Sequence, residues 1–512
     1  MEPLAAADAD RLAAALTRLQ YTVDGVTALI GPAAMSALAR NETSAGRHAL
    51  SRHRGVDALP VRLFCLRDTV QQREVAHALG QDNADLLVRH GILQALGPQP
   101  DDAVRCALDL HPYGDESHDW WVLADPVPGM DGAPPMLADD HVLGVNEAAT
   151  TLAGLTLRSP VHSALDVGTG SGIQTLHLSQ HADHVVGSDI LPRALEMARW
   201  SAALNGLTDL VEFREGDLLE PVGGEQYDLI VSNPPFVLSP GPAGWGAAAA
   251  ASLTYRDSAF PGDALVAGLV RDLPRHLRPG GSAQLLGNWA HLRGRAWPDW
   301  LQEEWLHESD VDAWIVQREV MDPAAYVEVW LADAGLRGRP DYVARYDAWL
   351  SWFERAGIEA VGLGWMFLHR THDGGPGRFR VDELHDHVDQ PFAPMVQRFI
   401  DGADHLRTHP VLTDSRLTMA PELISEQWGR PGLTEPEHLL LRQQAFARRA
   451  VEVDTALAGF VGACDGELTA GQIADALVRL LEVPADDQTE FVDDLLRRAA
   501  ELVTSGLLLP SA

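Results

Sequence analysis

The chain has 512 residues, 46% of them hydrophobic and 22% charged, with a formal net charge of −34. That length allows about three domains of roughly 150 residues each, and the balance supports ordinary packed cores rather than disorder. So large a negative charge argues against non-specific wrapping of nucleic acid, whose affinity comes largely from neutralised phosphates.

The first ten residues are acidic and lack the apolar stretch of a secretory signal. Residues 1–138 read as a helical accessory domain. Leu12, Ala15, Leu16 and Leu19 recur at helical spacing across 8–19, a second helix lies within 22–38 behind Gly31-Pro32, and short helices over 59–66, 73–79 and 84–90 end at Gly91. Strand-like runs at 104–110 and 119–123 follow. Short helices before a two-stranded wing outline a winged helix, but no dense Arg/Lys face is present. A dimerisation or lid module is therefore the plainer reading. Arg40, Arg47, His48, Arg52, His53 and Arg54 read as a solvated loop. Four prolines within 125–135 mark a linker.

From 139 to 375 strands and helices alternate, which implies a parallel sheet covered on both faces. The expected strands are 164–167, 184–188, 210–214, 227–231, 282–287, 311–316 and 360–367. Helices are expected over 174–180, 192–205 and 263–277, with Pro192 in a first turn and Gly206 just past an end. Two more, 324–334 and 342–356, form an insertion before the last strand. Residues 376–512 form a third region with helices over 439–457, 469–481 and 487–505, and the run 505–509 closes a second winged-helix-like module.

Four strand ends in the middle region carry chemistry. After the first, Asp166-Val167-Gly168-Thr169-Gly170-Ser171-Gly172 turns into a helix. Glycines there let backbone approach a ligand, and the helix N-terminus favours negative charge. The loop is one residue short of the dinucleotide G-x-G-x-x-G and lacks the Lys-Ser/Thr of a P-loop. Asp166 suits a ligand bearing an ammonium group. Asp189, at the second strand end, is placed for ribose hydroxyls, a feature that nicotinamide cofactors share. Gly216-Asp217-Leu218 follows the third strand and offers a short polar side chain and a backbone amide to an adenine edge; a helix N-cap is the alternative for Asp217.

The fourth strand runs into Asn233-Pro234-Pro235-Phe236. Two prolines make a stiff turn. The Asn233 side-chain oxygen and the Pro234 carbonyl can both accept hydrogen bonds from one NH2 group, which aims its lone pair along the attack line. Phe236 can stack on the flat group that carries that nitrogen. The following loop, 237–261, is rich in Gly, Ala and Pro and contains Tyr255 and Arg256.

Together these motifs resemble the class I S-adenosylmethionine-dependent methyltransferases, and more narrowly the branch with an N-P-P-[FY] motif. The resemblance covers about residues 143–367. It implies an α/β, Rossmann-like sheet of seven strands in the order 3-2-1-4-5-7-6 with the last antiparallel, flanked by helical or winged-helix-like N- and C-terminal domains. It also implies S-adenosyl-L-methionine as cofactor, held by Asp166, Gly168, Thr169, Gly170, Gly172, Asp189, Ile190, Asp217, Leu218 and Asn233. Asn233 and Pro234 are the expected catalytic residues, and Asn233, Pro234, Pro235, Phe236, Tyr255 and Arg256 the expected substrate contacts. Three acceptors occur in the branch: the glutamine amide of peptide-chain release factors, guanine amines of ribosomal RNA, and adenine N6.

The acidic balance favours a protein glutamine, and the accessory domains fit a nucleobase acceptor. The macromolecular partner is thus a protein or an RNA. A regulatory protein that binds the cofactor without turnover is the alternative of another class. Cys65, Cys106 and Cys464 have no disulfide or metal spacing, which points to a reducing, cytoplasmic setting. No run reaches the roughly 20 apolar residues of a membrane helix. His369, His372, Asp373, His385, Asp386 and His387 read as solvated loop residues, and no metal is expected. Trp289, Trp297, Trp300, Trp305 and Trp314 read as packing residues.

Overall fold

The computed structural model describes residues 3–53, 55–127, 138–241, 262–306, 309–430 and 437–511. Eight strands form the central sheet: β1 (Val161–Val167), β2 (Ala182–Asp189), β3 (Val211–Glu215), β4 (Tyr227–Ser232), β5 (Leu277–Leu292), β6 (Val311–Met321), β7 (Ile358–Arg370) and β8 (Phe379–Glu383). Their spatial order is β3-β2-β1-β4-β5-β7-β6-β8. The first five pair in parallel, β7 runs antiparallel to both β5 and β6, and β8 is parallel to β6. Central parallel strands are covered on both faces and so read as unbroken apolar runs. Leu165, Val167, Leu229, Ile230 and Val231 are accordingly all buried.

The sheet has one strand more than the sequence suggests. β8 lies past residue 375, where the middle region was expected to end. Its signal is weak because Arg380, Asp382 and Glu383 interrupt it. Asp382 and Arg380 are nevertheless matched by each other (2.6 Å), and Asp382 also accepts from Trp314 Nε1 at 2.8 Å. Phe379 and Val381 pack on the sheet core.

Seven helices matter for the site: α1 (Glu147–Leu155), α2 (Ile173–Leu178), α3 (Pro192–Leu204), α4 (Ala264–His276), α5 (Pro323–Asp333), α6 (Tyr342–Ala356) and α7 (Ala393–Thr408). The helix α7 lays Met395, Val396 and Phe399 against Trp314, Phe367 and Phe392. Trp289, Trp297, Trp305 and Trp314 are buried, and Trp300 stacks under Arg295 at 4.6 Å.

N-terminal to the sheet, helices Gln72–Leu79 and Gln81–Arg89 sit beside a small sheet of Val70–Gln71, Ala103–Cys106 and Leu93–Ala95. The expected strand 104–110 is two strands. Ala103–Cys106 joins that sheet, whereas Asp109–Gly114 forms a hairpin with Asp119–Ala124. The chain changes partner where the Ala107 N–H turns to the Ile92 carbonyl (2.8 Å). Arg47 is not in a solvated loop: on helix Ser44–Leu50 it bonds Asp68 (2.8 Å) and the Leu66 carbonyl (2.7 Å); Arg54 lies outside the described residues.

One core runs from these helices into the central unit, joining Leu12, Leu16, Tyr21, Phe64 and Trp121 to Met197, Trp200 and Leu204 of α3. Hydrogen bonds fix the seam. The Trp121 N–H donates to Asn205 Oδ1 (3.1 Å), Asn205 Nδ2 to the Trp121 carbonyl (2.9 Å), and the Leu123 N–H to Ser201 Oγ (3.0 Å).

The C-terminal region departs from expectation at 439–457. There is no long helix; His438–Gln443 and Ala450–Val453 pair with Leu423–Trp428 as an antiparallel sheet, and helix Thr455–Gly462 begins only where Asp454 accepts from the Leu457 N–H. Pairing buries Leu423, Leu441 and Val453, and this tertiary gain overrides the helix propensity of the leucine run. Strands Arg416–Met419, Asp465–Thr469 and Leu508–Pro510 form a further sheet beside Ala470–Leu480 and Gln488–Thr504. The histidines also divide. His369 lies within β7 and is 2% exposed, contrary to the loop reading, whereas His385 and His387 are exposed. Among the described residues no helix is long and apolar enough to cross a membrane.

Trp200 is 1% exposed at the seam between the N-terminal domain and the sheet unit. Trp200→Ala is expected to lower the unfolding free energy by about 3–5 kcal/mol, read by urea denaturation. A loss below about 1 kcal/mol would mean that the seam contributes little.

Candidate active site

The site starts from strand register. In the parallel ladder Val167 of β1 stands opposite Ser232 of β4, and Ser232 Oγ donates to the Val167 carbonyl at 2.8 Å. Neighbouring strands lie about 4.8 Å apart. The glycine turn after Val167 and the proline turn after Ser232 therefore leave the sheet side by side.

Gly168, Gly170 and Gly172 have φ of +74°, +56° and +89°, a region that side chains disfavour. Among the described residues a Cβ on Gly168 or Gly170 would meet nothing within 4 Å; a Cβ on Gly172 would stand 3.4 Å from Ala198 of α3. The first two keep a ligand-sized approach clear, and the third lets α2 lie close to α3.

Asp166 is buried and turned into its own loop. Its Oδ2 accepts from Thr169 Oγ1 (2.6 Å), Thr175 Oγ1 (2.9 Å) and the Thr175 N–H (3.1 Å). Burial raises its pKa to about 6 against the pull of those hydrogen bonds. The Thr169 N–H is held by the Ser188 carbonyl at 2.9 Å. Asp166 and Thr169 thus brace the loop from within.

Asp189 does similar work from β2. Its Oδ2 accepts from the Gly170 N–H (2.9 Å) and its Oδ1 from the Leu191 N–H (2.9 Å). Burial raises its pKa, and the backbone donors oppose that shift. Each oxygen retains a lone pair, and the carboxylate is partly open to solvent. Beside it Ile190 is 51% exposed, an apolar surface at a strand end. Asp217 is exposed, and Leu218 has φ +46°, a sparsely populated conformation that surrounding structure must hold. Ser188 Oγ donates to the Leu218 carbonyl at 3.3 Å.

Asn233 is half-buried, and its Oδ1 is sealed from solvent with no hydrogen-bond partner among the described residues. An unmet buried acceptor costs about 1–3 kcal/mol. Pro234 is buried, Pro235 is half-buried, and Phe236 meets Trp330 edge-on with centroids 6.2 Å apart. Tyr255 and Arg256 lie outside the described residues.

Sequence reasoning missed what holds this turn. The Leu238 N–H donates to the Tyr326 hydroxyl (2.9 Å), Asn288 Nδ2 donates to the same oxygen (2.9 Å), and Trp349 Nε1 donates to the Leu238 carbonyl (2.9 Å). Tyr326 and Trp349 come from α5 and α6, so the insertion clamps the proline turn. Aromatic residues at helical spacing, Tyr326 with Trp330 and Tyr342 with Tyr346, Trp349 and Phe353, were the available signal.

The sheet, the glycine loop and the proline turn define the class I methyltransferase architecture. Residues 145–241 match the methyltransferase small domain, and this part of the chain is a class I S-adenosylmethionine-dependent methyltransferase domain. Residues 18–106 match a family described as a domain of unknown function, DUF7059. The chain is 33% identical over 192 residues to a protein named ribosomal protein uL3 glutamine methyltransferase from Bradyrhizobium diazoefficiens, covering 34% of this chain and 59% of that one. It is 37% identical over 136 residues to a release factor glutamine methyltransferase of Xylella fastidiosa, covering 24% and 46%. It is 41% identical over 87 residues to a tRNA1(Val) (adenine(37)-N6)-methyltransferase of Porphyromonas gingivalis, covering 16% and 34%. The matched stretches thus span at most 59% of these relatives' own lengths.

The Asp166 carboxyl titrates at about 6 in the fold against an ordinary 3.8. Between those values the folded chain keeps a proton that the unfolded chain releases, so this group's contribution to stability falls as pH rises through the window. Asp166→Asn removes that titration. Wild-type stability relative to the variant is expected to decline from pH about 4 to about 6 and to level off above. Urea unfolding of both proteins across the window checks it, and parallel curves would refute the assignment.

Proposed function

We propose that this chain moves a methyl group from S-adenosyl-L-methionine to a planar amino nitrogen, the side-chain amide of a protein glutamine. The observation that carries the reading is the register that sets Asn233, whose Oδ1 has no hydrogen-bond partner among the described residues, beside the glycine loop. A buried acceptor without a donor is what a bound NH2 group would satisfy.

The residues fit the cofactor. The clear space over Gly168 and Gly170 suits its methionine end, with Asp166 and Thr169 stiffening the loop beneath. Asp189 offers lone pairs to ribose hydroxyls, Ile190 an apolar face to adenine, and the 217–218 turn a carboxylate and a backbone amide to the adenine edge. Bound there, the cofactor supplies an electrophilic methyl group on sulfur.

The rest is positioning. Asn233 Oδ1 and the Pro234 carbonyl each accept one amide hydrogen, which fixes the acceptor plane and aims the nitrogen at the methyl carbon. Phe236, backed by Trp330, supports the flat amide. The stiff turn, pinned through Leu238, keeps both acceptors in place, so orientation supplies much of the rate. Exchange of the sulfur–methyl bond for a nitrogen–methyl bond would leave a neutral thioether and one amide proton to be lost, so these residues would need to supply no strong base.

Two relatives named as glutamine methyltransferases, and the net charge of −34, support a protein acceptor in a cytoplasmic setting. The relative named as an adenine-N6 methyltransferase supports a nucleobase amine as the second reading. The chain is further read as an N-terminal domain (1–138), a methyltransferase unit that runs on through β8, and a C-terminal domain.

Incubation with methyl-labelled cofactor and either purified release factors and ribosomal proteins or ribosomal and transfer RNA separates the acceptors. Label on a glutamine, lost when that glutamine is replaced, is the expected result; label in RNA alone would overturn it. Asn233→Ala is expected to lower kcat about 10²-fold or more while calorimetric cofactor binding falls far less. Undiminished transfer would remove Asn233 from the mechanism.

A further inference from the structure

The fold brings together three side chains that sequence separates. His369 ends β7, His372 follows in the next turn, and Asp404 lies on α7. One ligand atom from each falls within 4.8 Å of the others. His369 Nε2 is 3.4 Å from Asp404 Oδ1, and His372 Nε2 is 3.8 Å from Asp404 Oδ2.

Those separations are poor for direct hydrogen bonds, whose N···O distances centre near 2.9–3.0 Å. The two distances end on different oxygens of Asp404, and three ligand atoms within 4.8 Å of one another would close further around a shared ion. With zinc–nitrogen and zinc–oxygen bonds of about 2.0–2.1 Å, the edge of a tetrahedron is roughly 3.3 Å. We propose that His369, His372 and Asp404 form a zinc-class divalent cation site that clasps α7 to the sheet.

Three further observations fit. The His369 ring is 2% exposed and its other nitrogen, Nδ1, lies 3.2 Å from Ser282 Oγ, the outer-shell bond that fixes tautomer and ring plane in ligating histidines. The His372 ring lies against Gly280, where a Cβ would come within 2.1 Å of Cε1, so the backbone (φ +80°) is shaped around that ring. The nearby Arg407 guanidinium is turned to Asp312, at 2.9 and 3.0 Å. Two histidines, one carboxylate and a water complete four-coordination, with nitrogen and oxygen donors that suit zinc.

The site is structural. His369 pairs with Ser282 near the start of β5 and with Asp312 near the start of β6. The glycine and proline turns follow the ends of β1 and β4, on the opposite edge of the sheet. Bound metal would therefore secure the C-terminal region and leave methyl transfer untouched.

The test uses the full chain, stripped with a chelator and dialysed against zinc chloride. About one zinc per chain by elemental analysis is expected, with a rise in thermal midpoint on zinc addition. Cobalt substitution should give the intense visible bands of a tetrahedral site. His372 is exposed, so His372→Ala should keep the metal-free midpoint and the transferase activity yet lose both the bound zinc and the midpoint shift. Asp404→Asn should do the same. Zinc bound at less than about a tenth of an equivalent, or retained by both variants, overturns the proposal.

Discussion

The register between β1 and β4 is the constraint on which the site rests. Side chains alternate faces along a strand, so a slip of one residue would carry every core residue of β4 to the opposite face and break the packing of both. Leu229 and Val231 pack one face of the sheet, and Ile230 packs the other. Burial on both faces therefore forbids the slip. With Val167 locked opposite Ser232, the glycine and proline turns can only emerge together. A reaction that needs two groups aligned within tenths of an ångström gains from this, because hydrophobic packing far from the chemistry sets the spacing.

Polar groups near the turns fall into two kinds. Asp166 and Asp189 are surrounded by donors, and each ties the glycine loop to a neighbouring element. Their satisfied hydrogen bonds offset the penalty of burial and leave the loop no alternative conformation of similar energy. Asn233 Oδ1 is sealed and, among the described residues, without a partner, as is Gln174 Oε1 at the start of α2. Leu218, with its positive φ, is a second local conflict on the same edge of the sheet. Such conflicts persist only when rigid surroundings hold them, and functional sites are where they collect.

The sequence was legible where pattern and chemistry are local. Apolar runs announced the parallel strands, and the glycine and proline turns announced strand ends. Legibility failed where tertiary pairing decides. β8 carries charges that distant partners such as Trp314, Arg449, Trp297 and Gln317 make tolerable in a sheet. The leucines near 440 look helical until Leu423–Trp428 offers them a partner strand. Roles were harder still. Asp166 and Thr169 carry the right motif, yet geometry turns them inward as braces. His369, His372 and Asp404 share no spacing that sequence could read, because one comes from a strand, one from a turn and one from a distant helix.

The two halves of the site are held by different parts of the chain. The cofactor side is backed by α3, which shares its core with the N-terminal domain. The acceptor side is pinned by Tyr326, Trp349 and Asn288, all outside residues 145–241 where the methyltransferase match lies. Changes in α5 or α6 would shift Leu238, and through it the Pro234 carbonyl and Asn233, with no contact altered at Gly168, Asp189 or Leu218. The proline turn can thus shift while the glycine loop stays fixed.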